Sequence, residues 1–186
     1  MKVYEVEPDV DRFQTFLPEE RYRNSAADDF FDATPLANKW PRPEVYVLHP
    51  KLKVGDFFGF LSPGTIVATP EAYQKVEFFF DVAGEALPLI YKGREYALLN
   101  VLECIDIVDQ ERAEWLLIPE GEKAMLTKYA FHENRFTRSS LFKVPETCRG
   151  ALLTYERSGD PEEEFKAFVE HNKMTGLLFR EVWSSV

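Results

Sequence analysis

Proline stands at the ends of the β-rich runs in this chain, which limits the fold to short elements joined by turns. Pro8 ends the run Lys2-Val3-Tyr4-Glu5-Val6, read as an N-terminal strand with Tyr4 and Val6 in phase. Pro43 and Pro50 bound a second strand over 44–48, and Pro119 closes a third over 115–118. Residues 65–68 and 140–144 are further strand candidates. Two other prolines start helices. Thr69 caps and Pro70 takes the first helical position, but the helix is expected to be short because Val76-Glu77-Phe78-Phe79-Phe80-Asp81-Val82 has strand composition. Near the C-terminus Asp160 caps, Pro161 starts the helix and Glu163 sits where a capping box places an acid. The apolar stripe Phe165, Phe168 and Val169 predicts a helix over 161–174, stopped by Gly176 in a left-handed cap and followed by a strand over 177–182. Strand–helix–strand patterning thus occurs twice, over 65–82 and 151–182.

With 186 residues, 45% hydrophobic and 15% aromatic, the chain has the material for one well-filled core. The expected class is α+β: a single domain over 1–186 with a mixed β-sheet, few helices and the capped C-terminal helix before a strand. Residues 9–44, with Pro18, Pro35, Pro41 and Pro43, form a long irregular segment. Residues 95–109 are the most hydrophobic stretch. Leu98, Val101, Leu102 and Ile105 fit helical spacing, while 104–108 is rich in β-branched residues.

Charge excludes some functions. Lys+Arg number 22 against 32 Asp+Glu, a net of −10, which argues against binding the phosphate backbone of nucleic acid and suits a basic partner. The acids concentrate: residues 101–122 hold seven acids and one base, and 123–149 hold two acids and six bases. No run reaches the ~20 apolar residues of a membrane span. No basic-then-apolar leader pattern opens the chain, and Cys104 and Cys148 suit free thiols better than a disulfide framework. The expectation is a cytoplasmic protein with no membrane partner.

Chemistry is sparsely signalled. His49, His132 and His171 are scattered, and neither a P-loop nor a GxGxxG fingerprint is present, so no cofactor is expected. Asp28, Asp29 and Asp32, or Asp106, Asp109 and Glu111, could serve a carboxylate- or metal-dependent enzyme. Such neighbours are common in so acidic a chain, and the expectation is no metal and no catalytic residue. Aromatics flanked by acids on a loop suit protein recognition, so Asp28, Asp29, Phe31, Asp32 and Trp40 are the candidate partner interface. The other reading of these aromatics is that they plug the loop onto the core. The acidic block 103–114 is a competing patch.

Two segments carry a resemblance. The stretch Tyr96-Ala97-Leu98-Leu99-Asn100-Val101-Leu102-Glu103-Cys104-Ile105-Asp106-Ile107-Val108-Asp109-Gln110-Glu111-Arg112, with the closing Thr175-Gly176-Leu177-Leu178-Phe179-Arg180-Glu181-Val182, resembles immunity protein family eleven of bacterial polymorphic toxin systems. The similarity runs from the first strand to Val182. The long 9–44 segment and the basic 123–149 block depart from the family pattern. The resemblance implies a small cytoplasmic α+β protein, encoded beside a toxin gene, that binds and neutralises the cognate toxin. A basic nuclease is the toxin class the charge suits, and a non-toxin adaptor is the alternative binding role. The resemblance also favours an extended, kinked strand for 95–109.

Overall fold

The computed structural model describes residues 1–28, 31–61, 63–119 and 123–185. Among these residues twelve strands and two α-helices follow one another. β1 (Lys2–Pro8), β2 (Phe16–Pro18), β3 (Val45–Val47), β4 (Phe57–Phe58) and β5 (Ile66–Ala68) precede α1 (Pro70–Ala83). Next come β6 (Gly84–Tyr91), β7 (Arg94–Val101), β8 (Glu114–Leu117), β9 (Lys123–Lys128), β10 (Leu141–Phe142) and β11 (Leu153–Glu156). α2 (Phe165–His171) and β12 (Leu177–Ser184) close the fold. The strands form four mostly antiparallel sheets: β10-β11-β1-β12, β4-β5-β7-β6, and the ribbons β2-β3 and β8-β9. The α+β class and the strand after the last helix are as the sequence reads. β7 settles the hydrophobic stretch as extended, and it bends away after Val101 to bridge Cys104 to Lys143 and Val108 to Phe131.

Period-two alternation gives each large sheet two apolar faces. In β7, Ala97, Leu99 and Val101 enter one core while Tyr96 and Leu98 enter another. The inner faces of both sheets share a core with α1 and α2, from Val6 and Phe57 through Val76 and Phe80 to Leu141 and Phe165. Residues of the irregular 9–44 segment cover the outer face of β4-β5-β7-β6, with Phe16, Phe31, Leu36 and Trp40 buried there. Ile107, Val108 and Phe131, with Ile105, Ala113, Tyr129 and Phe136 packed beside them, cover the outer face of β10-β11-β1-β12.

The two halves repeat one topology. β5-α1-β6 and β11-α2-β12 are each a strand, a helix and a strand, with a third strand (β7 or β1) paired antiparallel between the outer two. The repetition read in the sequence is therefore real, although the first unit's second strand lies at 84–91. Residues 76–82 are helical, correcting the short-helix reading. Thr69 caps through its hydroxyl, which accepts from the Ala72 amide at 3.1 Å, and the helix runs 14 residues. Ala72, Val76, Phe79, Phe80 and Ala83 recur at helical spacing on its buried side. Burial of that stripe outweighs the β-propensity of the aromatics.

The C-terminal helix is shorter than predicted. Asp160 does accept a backbone amide, from Glu162 at 2.9 Å, but 161–163 form turns and the helix proper begins at Phe165. The stabilising acid is Glu164, not Glu163. Its buried carboxylate accepts from the amides of Arg157 (2.9 Å), Ser158 (2.8 Å) and Gly159 (2.8 Å) and from the Ser158 hydroxyl (3.0 Å). Spending the acid on the preceding loop leaves Glu164 unable to cap the helix, and the Phe165 amide instead donates to the Ser140 hydroxyl at 3.0 Å. At the other end Lys173, φ +52°, takes the left-handed position expected of Gly176. Gly176 is needed for closeness: at φ +104°, a Cβ there would lie 2.2 Å from the Phe57 carbonyl oxygen.

Candidate functional site: an exposed apolar ribbon on the acidic segment

Two of the five residues expected to face a partner are core. Phe31 is 1% exposed and Trp40 9%. Their rings meet edge to face at 6.1 Å, and the Trp40 indole donates to the Pro88 carbonyl at 2.8 Å. The irregular segment is held down by further buried polar contacts. Asn100, fully buried, donates to the Thr34 carbonyl (2.9 Å) and to the Glu85 carboxylate (2.8 Å), which also accepts from the Leu36 amide at 2.6 Å. Lys143, likewise buried, donates to the Phe31 carbonyl. These aromatics plug the loop onto the sheet because burying their rings and satisfying the indole N–H gains more than displaying them. Asp32 is half-exposed, and its carboxylate accepts the Thr34 amide at 3.2 Å; hydrogen bonding from Thr34 holds its carboxyl below the usual range. Asp28 ends a short 3-10 turn, and Asp29 lies outside the described residues.

The other carboxylate group is also spoken for. Asp109 accepts the amides of Glu111 (3.1 Å) and Arg112 (3.2 Å), a turn of its own backbone, while Asp106 and Glu111 are exposed. Among the described residues, no three His, Cys, Asp or Glu side chains are grouped to hold a metal.

Burial pushes the Lys143 ammonium down to about 8, against the pull of Asp32 and Cys104. An unfolded lysine titrates near 10.5, so between pH 8 and 10.5 the native state binds fewer protons and stability rises with pH. The full cost of the buried charge, on the order of 3 kcal/mol at most, is present below pH 8. Tyr129, pushed up to about 12 by burial, opposes this only above pH ~10. Urea unfolding at steps from pH 7.5 to 9.5 is expected to show rising stability in the wild type and a flatter profile in Lys143→Met. A wild-type profile that falls over that range contradicts the buried charge.

Among the surfaces that display apolar groups is β8-β9, where the acidic and basic blocks meet. Leu116 is 54% exposed, Leu117 56%, Ile118 40% and Met125 56%. The ribbon folds this way for a local reason. Register shifts between Glu114 and Trp115 and between Leu116 and Leu117 break the alternation that would turn every second residue inward. The Trp115–Leu126 pair faces the body, with Leu126 buried, while Leu116 and Met125 pair directly across the strands on the outside. Glu114 reaches Lys128 at 2.6 Å across the ribbon's base, so the two charge blocks complement each other in part. Asp106 and Glu111, exposed on the same segment, add negative charge beside the ribbon in sequence. Sequence reasoning passed over the ribbon because Trp115-Leu116-Leu117-Ile118 reads as an ordinary buried strand. Compared with protein-family models and with curated proteins, the chain matches none.

Proposed function

We propose that this chain is a binding protein that neutralises a cognate toxin domain by covering a surface the toxin needs, with the β8-β9 ribbon as its principal contact. One observation carries the reading. Three large apolar side chains, Leu116, Leu117 and Met125, lie exposed on a two-stranded ribbon, the least self-sufficient kind of sheet, and Ile118 follows directly after it. Such a strand face invites association unless a partner covers it. The acidic segment that supplies β8, within a chain of net −10, suits a basic partner, and a nuclease domain with a basic cleft has that character. The resemblance to immunity protein family eleven supports the same class of role. No helix among the described residues is long and apolar enough to cross a membrane.

The test is co-expression with the product of the neighbouring gene, followed by association kinetics over a salt series. Screening shortens the reach of exposed charge from about 30 Å at 0.01 M to about 8 Å at 0.15 M salt. The association rate is therefore expected to fall roughly tenfold over that range, with dissociation little changed. A salt-independent association rate, or no complex with the neighbouring product, rejects the reading.

A further inference from the structure

Residues 13–18, 44–48 and 57–61 lie side by side and leave one face of their small sheet to solvent. Leu17 pairs with Tyr46 across β2-β3, the Leu48 amide donates to the Thr15 carbonyl at 3.0 Å, and Thr15 bridges in parallel to Gly59. Residues opposite one another share a face, so Thr15, Leu17, Tyr46 and Leu48 stand on the outside while Phe16, Val45 and Phe58 enter the core. Leu61, two residues on from Gly59, joins Leu17 and Tyr46 around a hollow of about 450 Å³. A Cβ on Gly59 would meet the Thr15 Oγ1 at 3.0 Å and the Val10 Cγ1 at 3.2 Å, which puts Val10 on the same side. Val10, Tyr46, Leu48 and Leu61 are each between 45% and 50% exposed. An open apolar sheet face packs best on another of its kind.

The two ends of this face differ in relief and in charge. Beyond Leu17 and Tyr46 the hollow is rimmed by Glu19 and Glu20. Glu19 and Glu44 share the one Arg21 guanidinium, and Glu20 has Arg23 at 3.5 Å, so three carboxylates meet two cations. Beyond Thr15 and Leu48 the chain turns at 49–52, where the Leu52 amide donates to the His49 carbonyl at 3.0 Å. Lys51 on this turn and Lys53, which bridges to Phe13, are exposed and have no carboxylate partner among the described residues. Arg12 is taken by the buried Asp9, which leaves Asp11 as the one exposed acid against two lysines. A hollow with surplus acid and an exposed turn with surplus base thus lie at opposite ends of one apolar sheet. A two-fold axis through the middle of the face brings each onto its complement in a second copy.

We infer that this face is the interface of a homodimer, in which residues 48–53 of each copy seat in the hollow beside Tyr46 of the other and bring Lys51 and Lys53 to Glu19 and Glu20. The surface does not involve the β8-β9 ribbon, so it stands or falls apart from toxin binding.

Sedimentation equilibrium of the full chain at about 50 μM and about 0.15 M salt is expected to show twice the monomer mass. Tyr46→Thr/Leu48→Thr, which keeps strand-forming residues in place, is expected to weaken the dimer by about a hundredfold or more. Lys51→Glu/Lys53→Glu and Glu19→Lys/Glu20→Lys are each expected to weaken it about tenfold, because like charges then meet at both ends. An equimolar mixture of these two charge-reversed variants is expected to recover the wild-type mass, since each end again meets its opposite. All of these are surface side chains, and circular dichroism and Tm are expected to match the wild type. A monomeric wild type overturns the inference. So does a dimer that Tyr46→Thr/Leu48→Thr leaves intact, or a pair of charge-reversed variants that stay apart when mixed.

Discussion

Truncating Phe165 to alanine is expected to cost about 3–5 kcal/mol of stability, far more than any change to an exposed side chain would. The ring is fully buried and lies where the inner faces of both sheets and α1 converge. It stands 6.1 Å from Phe57 on β4, 5.7 Å from Phe79 on α1 and 6.4 Å from Phe179 on β12, all in edge-to-face geometry. With α2 itself, four different elements meet at this ring, so the space left cannot close by shifting one of them. Phe168→Ala should cost markedly less, because that ring is half-exposed beside a surface groove. Urea denaturation of the two variants checks the difference, and a loss under about 1 kcal/mol for Phe165→Ala contradicts the shared core.

Replacing Leu116 and Met125 together by glutamate is expected to weaken partner binding by about a hundredfold or more, leaving Tm within about 2 °C of the wild type. Burying either side chain against a partner is worth roughly 1.5–3 kcal/mol, and the added carboxylates would enter the interface without partners. The free protein loses little, since both side chains are more than half exposed. Phe31→Ala and Trp40→Ala behave oppositely: stability falls, and affinity follows only through the damaged fold. Titration calorimetry beside thermal melts separates the two patterns. Full affinity in the ribbon variant moves the interface elsewhere.

How legible each element was follows from where its information lies. Strands ended by Pro8, Pro50 and Pro119 were readable because proline fixes φ and withholds an N–H, a local effect. Thr69-Pro70 announced the start of α1 for the same reason. Its length was not local: Phe78-Phe79-Phe80 suits a strand or a helix equally, and the arrival of a sheet on each side of Phe79 and Phe80 decided it. Asp160 and Glu163 had the spacing of a capping box, yet Glu164 had three loop amides within reach and drew the chain around itself. The interface proposed at Phe31 and Trp40 failed through the same limit. Composition shows that a loop carries aromatics, while burial depends on the open sheet face beneath it. The ribbon shows the converse, since two register shifts, invisible in Trp115-Leu116-Leu117-Ile118, turn a strand that reads as core out to solvent.

Hydrogen–deuterium exchange of the chain, alone and with the neighbouring gene's product, tests the central claim most directly. In the free protein the β8 and β9 amides should exchange quickly, as expected of an isolated ribbon on the surface. With the partner bound, residues 114–118 and 123–128 should become the most strongly protected segment, with amides around Phe31 and Trp40 unchanged. A complex that protects other segments and leaves 114–128 exchanging as before would contradict the account.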